Sequence, residues 1–176
     1  MKFGKCLLSS NAMKTGKYII LSMVLLISCE EETAPLIPTL SFIPESISID
    51  IGSVGELTLQ IKNLDVPIFG ISLRIAYNST GVSFTRSTEL GDGYFSGSET
   101  VSFIKDTSSA IHIATTLTSG EGVSGSGILY TLEFQGELQG SHLVEILPNF
   151  LFFYDSSGSK VTIPNLSINS ATINVE

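Results

Sequence analysis

Few residues in this chain have types and spacings that chemistry could use. Gly120, Gly122 and Gly125 spell the G-x-G-x-x-G pattern, which cradles a pyrophosphate only where it follows a strand and opens a helix. Here a strand pattern follows it and Glu121 inside the loop would repel phosphate, so the segment reads as a flexible glycine-rich hairpin turn. The two histidines, His112 and His142, fall on different strand patterns with no serine or acidic residue at a telling offset, and no G-x-S-x-G nucleophile turn occurs. Both read as polar surface side chains. Asp155-Ser156-Ser157-Gly158 and the Glu89/Asp92 pair could offer oxygens to calcium, yet each brings one or two carboxylates where a site gathers six or more oxygen ligands. They read as ordinary turns. No catalytic group, metal or cofactor is expected. Sugar binding would need an exposed aromatic platform, and the chain has no tryptophan. Tyr77 and Tyr130 share parity with apolar neighbours and the 150–154 run lies in a strand pattern, which leaves Tyr94 and Phe95, in a Gly/Ser-rich loop, as the expected exposed pair.

Cys29 is the residue placed for a modification. A basic stretch ending at Lys17 precedes ten mostly apolar residues, 18–27, which suits a signal-peptide core and falls short of the ~20 residues of a spanning helix. Met13 opens a second leader of more typical length. Leu26-Ile27-Ser28-Cys29 resembles the bacterial lipobox, which implies acylation at Cys29 and an exported, outer-membrane lipoprotein. Residues 1–28 then form the signal peptide, and residues 29–40 form an acidic, proline-containing tether. Residues 41–176 form the folded domain. The glutamates at 30–32 resemble a surface-export signal of Bacteroidetes-type lipoproteins, or they solvate a linker. The only other cysteine, Cys6, is also in the leader, so the body has neither disulfide nor thiol chemistry.

After the leader, five basic residues stand against seventeen acidic ones, a net charge of −12. Such a body repels nucleic acid and anionic headgroups, and its expected partners are neutral, cationic or bridged by a cation.

The elements that must position any site are strands. Ile47, Ile49 and Ile51 alternate with Ser46, Ser48 and Asp50; Leu57, Leu59 and Ile61 alternate with Thr58, Gln60 and Lys62. Ile71, Leu73, Ile75 and Tyr77 alternate with Ser72, Arg74, Ala76 and Asn78, and a turn at 78–81 leads to Val82 and Phe84 in the same period. Further strands are expected at 101–105, 111–117, 128–134, 143–147, 150–154 and 171–175, with no helix of useful length. Eight or nine short strands between Gly, Ser, Asn and Asp turns predict an all-β, two-sheet antiparallel sandwich of jelly-roll topology.

Val54-Gly55 at a strand start, Gly70 with Tyr77-Asn78 at the end of the same strand, Ser124-Gly125-Ser126-Gly127-Ile128-Leu129 leading into Leu132-Glu133-Phe134, and Asp155 with Gly158 before a last strand together resemble a cohesin domain over residues 41–176. Asn78 stands where that family usually has Asp in a Tyr-Asp-Pro turn, and the proline is missing. The resemblance implies a nine-stranded jelly roll akin to the type 2 and type 3 carbohydrate-binding modules, holding dockerin-bearing enzymes in polysaccharide-degrading assemblies. It also implies that the partner lies across a sheet face containing residues 71–77 and 111–117. Ser72, Arg74 and His112 on that face, with Glu145 from a later strand, are the expected partner contacts. Two function classes stay open: a non-catalytic module that recruits a dockerin-type protein, and a surface lipoprotein that binds glycan through Tyr94 and Phe95.

Overall fold

The alternation of apolar with hydroxyl or charged residues gives each strand one dry face, and burying those faces against one another builds a sandwich. The computed structural model describes residues 36–88 and 93–176; the leader, Cys29, the tether as far as residue 35, and Glu89 with Asp92 lie outside the described residues. The strands are β1 (Thr39–Ile43), β2 (Ser46–Ile49), β3 (Val54–Ile68), β4 (Gly70–Tyr77), β5 (Val82–Thr88), β6 (Thr100–Asp106) and β7 (Ala110–Leu117). They continue as β8 (Val123–Gly136), β9 (Gly140–Ile146), β10 (Phe152–Tyr154), β11 (Lys160–Val161), β12 (Ser167–Ile168) and β13 (Ala171–Val175), with one 3-10 turn at Pro148–Phe150.

One sheet runs β12-β1-β3-β8-β5. The other is centred on β4. On one flank β4 pairs along its length with β7, which pairs with β6. On the other flank its first residues pair with β10, followed by β11, and its last with β9, followed by β13 and β2. The pairing is antiparallel except for β1 with β12 and β13 with β2. The described segments outnumber the expected eight or nine; β1 and the two-residue β11 and β12 are among those the sequence pattern did not mark.

Leu57, Leu59 and Ile61 of β3, with Leu132 and Phe134 of the neighbouring β8, share one buried cluster with Leu73, Ile75, Ile111 and Ile113 of the other sheet. Burial in β3 switches from odd to even positions at Leu64, across a register shift at Asn63, whose φ of 55° puts an extra residue in the ladder. A polar group pins the two sheets together: the Tyr130 hydroxyl, from the smaller sheet, hydrogen-bonds Thr115 Oγ1 and, at 2.9 Å, Ser102 Oγ in the larger one.

Two turns join different sheets, where the sequence reading had a strand–turn–strand unit at 78–81 and a hairpin at 120–125. Asn78 O accepts from the N–H groups of Gly81 and Val82, but the strands on either side, β4 and β5, lie in opposite sheets. The 120–125 glycines likewise carry the chain from β7 to β8 across the sandwich, and no helix follows.

Candidate functional site

The outer face of the larger sheet brings together three of the four expected partner contacts, and the fourth adjoins them. Arg74 on β4 is directly opposite His112 on β7, which is opposite Lys105 on β6, so the three form one cross-strand row. The next row is Phe103, Ala114, Ser72 and Phe152; the next is Val101, Thr116, Gly70 and Tyr154, with Lys160 beyond. Glu145 stands on β9 opposite Ala76, two positions past Arg74 and on the same face.

The relief follows from side-chain size. Gly70, Ser72, Ala114 and Thr116 make a low floor. Val101 and Phe103, 59% and 58% exposed, rise on one side. Tyr154 and the 155–158 turn rise on the other. The result is an open trough of about 590 Å³. Its far wall is firm because Asp155 Oδ1 accepts hydrogen bonds from Ser157 N, Ser157 Oγ and Ser159 N, which hold the turn and keep the carboxyl below the usual carboxylate range.

The face is cationic on an acidic body. Arg74, Lys105 and Lys160 are three of the five basic residues after the leader, and none of them forms an ion pair among the described residues; Arg86–Glu133, on the other sheet, is the only such pair there. The Arg74 guanidinium lies 3.8 Å from the centre of the Phe150 ring, and Lys160 Nζ lies 3.6 Å from that of Phe152, contacts that fix both cations over aromatic faces. Arg74 Nε is buried with no acceptor. Partial burial, then the charges of Arg74 and Lys105, lower the pKa of His112 and so favour its neutral imidazole.

Two side-chain assignments from sequence need correction. Tyr94 and Phe95 are not an exposed platform: they are 6% and 5% exposed. Tyr94 N donates to Ile128 O, its hydroxyl donates to Val123 O at 2.8 Å, and its ring meets Phe95 edge-on. Gly127 makes room for this, since a Cβ there would stand 2.9 Å from Tyr94 Cα. His142 is also buried rather than superficial. Its Nε2 donates to Leu138 O at 2.7 Å when its Nδ1 accepts from Asn78 Nδ2 at 3.3 Å, and the ring lies where a Gly81 Cβ would intrude. The amide of Asn78 supplies a donor that an aspartate could not.

Val101, Phe103, Lys105, Phe150, Phe152, Tyr154 and Lys160 were missed as site residues. One signal was available: Lys105 must face water, and Val101 and Phe103 share its parity. No three His, Cys, Asp or Glu side chains converge among the described residues.

No protein-family model matches the sequence, and no curated protein does. Solved structures match in fold. The cohesin CaCohA2 of Clostridium acetobutylicum, solved in complex with CaDoc0917, superimposes with a TM-score of 0.64 at 17% identity over 79% of this chain and 99% of that one. The third ScaC cohesin of Acetivibrio cellulolyticus, solved with the ScaB dockerin, gives 0.63 at 14% identity over 79% and 99%. A non-cellulosomal cohesin of the archaeon Archaeoglobus fulgidus gives 0.60 at 19% identity over 80% and 92%. The chain has the cohesin fold.

Proposed function

We propose that this chain is a non-catalytic docking module that receives a dockerin-type protein on the outer face of β6, β7, β4 and β10, serving a polysaccharide-degrading system. The observation that carries this reading is the trough itself, in a fold whose solved examples include complexes with dockerins. An apolar concavity walled by half-exposed Val101 and Phe103 is costly to leave in water and is the kind of surface that partners cover. Its floor and near wall belong to paired strands and its far wall to Tyr154 and a hydrogen-bonded turn, so a partner meets a preformed shape and little ordering entropy opposes binding. A standard interface buries ~800 Å² on each side, which one face of a sandwich this size can supply.

Anchoring belongs to the same proposal: acylation at Cys29 and the 29–40 tether would display the face away from the outer membrane. Cys29→Ala should then release the protein from the membrane fraction, and unchanged fractionation would refute the anchor alone.

The docking test is a calorimetric titration of the full-length protein with dockerin modules encoded in the same genome. Ala114→Arg raises a bulky side chain from the trough floor; it should abolish binding and leave the melting temperature unchanged. Unaltered binding would take the trough out of the interface. Retention on insoluble polysaccharide that Tyr154→Ala abolishes, with no dockerin bound, would instead favour a glycan surface made of Phe103, Phe152 and Tyr154.

A further inference from the structure

We infer that His142 is a proton-operated latch on the turn between β4 and β5: a proton on its Nδ1 turns over the side-chain amide of Asn78 and releases the backbone N–H of Thr80. The latch needs no partner and stands apart from the docking face.

Every hydrogen-bonding role around the ring is fixed by a group that has only one. Leu138 O, 2.7 Å from Nε2, can only accept, so Nε2 carries the proton of the neutral imidazole. The Thr80 N–H, 3.1 Å from Asn78 Oδ1, can only donate, so that oxygen faces Thr80, whose hydroxyl donates to it as well. The Asn78 amide nitrogen is thereby turned to the ring, 3.3 Å from Nδ1, which is bare and accepts. A second proton on the ring would set two donors against each other across this contact.

The ring has no room to turn away. It is 6% exposed and lies between two glycines: a Cβ at Gly81 would overlap it, and one at Gly140 would stand 3.5 Å from it. Glu137 N and Leu138 N both donate to Gly81 O, at 2.9 and 3.1 Å, which ties the turn carrying Asn78 to the turn carrying Leu138. Asn78 is exposed, so its amide is the part that can rotate. Turned over, Oδ1 accepts from Nδ1–H, Nδ2 donates to the Thr80 hydroxyl, and the Thr80 N–H passes to water. One amide with two discrete arrangements, selected by one proton, makes a switch.

The charged groups nearby are engaged elsewhere. The 78–81 turn has no ionisable side chain, and neither has β13, which pairs with His142 through Ile173. On β9 itself Glu145 is exposed on the opposite face of the strand. Glu137, before the ring, accepts from Ser83 Oγ at 2.6 Å, and Arg86, further along β5, pairs with Glu133. Tyr77, at the end of β4, gives its hydroxyl to Asp106 at 2.8 Å. Among the described residues no carboxylate forms an ion pair with His142.

The test is a nitrogen-15 NMR titration of the full-length protein from about pH 8 to about pH 5. The imidazole nitrogens should report the Nε2–H tautomer at the upper end, and the Thr80 amide and the Asn78 side-chain amide should then shift with the same midpoint as His142. Asn78→Asp supplies a carboxylate whose two oxygens accept from Nδ1–H and from Thr80 N at once. In that variant Thr80 should lose its transition while His142 still titrates, whereas a shift caused by mere proximity to the charge would persist. The Nδ1–H tautomer, a His142 that stays neutral down to about pH 5, a Thr80 amide that ignores its protonation, or a Thr80 transition undiminished in Asn78→Asp would each overturn the latch.

Discussion

Phe103→Ala separates a docking role from a structural one. The ring is 58% exposed in the free chain, on the outer side of a strand whose inner neighbours pack toward the other sheet. Of the roughly 200 Å² a phenylalanine presents, about 120 Å² is thus still available for a partner, worth about 3 kcal/mol at ~25 cal/mol per Å². Alanine retains part of that contact, so the expected loss on binding is about 2 kcal/mol, close to a thirtyfold weaker Kd. Folding should hardly notice, because surface substitutions outside the core usually move stability by less than about 0.5 kcal/mol. Calorimetric titration with a dockerin partner and a thermal melt of the same sample measure both quantities. An unchanged Kd would show that the β6 wall is not contacted. A drop in Tm of more than about 5 °C would show that Phe103 is structural and that the burial argument fails.

Two further outcomes follow from the same geometry. Gly81→Ala places a Cβ 2.1 Å from the His142 ring, which Leu138 O and Asn78 hold in place; denaturant unfolding should show at least about 2 kcal/mol of destabilisation, and adding His142→Ala should recover part of it, whereas no recovery would mean the ring is not the obstacle. The pKa of His112 is lowered by its burial and by Arg74 and Lys105, from β4 and β6, while Glu145, from β9, is an exposed acidic side chain beside the face. A carboxylate docking on the row would favour the imidazolium, so binding takes up protons and should tighten as pH falls below the ordinary histidine range of about 6.5. His112→Gln should flatten that profile over pH 5–7, and an identical profile in the variant would assign the dependence elsewhere.

The strands were legible because a two-residue period survives wherever one face is dry. At Ile71, Leu73, Ile75 and Tyr77 the inward and outward sets are as the sequence implied. Legibility failed where the ladder changes phase or the chain changes sheet. Residues 63–68 of β3 escaped notice because the bulge at Asn63 inverts the alternation, so the two halves of one strand read as unrelated. Tyr94 and Phe95 looked exposed because a Gly/Ser-rich setting ordinarily marks a loop tip; only the approach of Gly127, some thirty positions away, shows that this loop is folded back into the core. His142 depended in the same way on a glycine in a distant turn. That Ser72, Arg74 and His112 point outward could be read from parity on two strands, while the choice of that face came from the family resemblance. Its apolar half could not, since Phe152 and Tyr154 reach it only through the pairing of β10 with the first residues of β4, a tertiary fact that no local pattern encodes.

Lysine labelling of the full-length protein, alone and saturated with a dockerin partner, with mass-spectrometric readout, gives the most direct view of the docking face. Lys105 and Lys160 stand at opposite corners of the trough, and Lys62 is exposed on the other sheet. Docking in the trough predicts strong protection of Lys105 and Lys160 with Lys62 unchanged; protection of Lys62 with Lys105 and Lys160 still reactive would place the partner on the opposite face and contradict it.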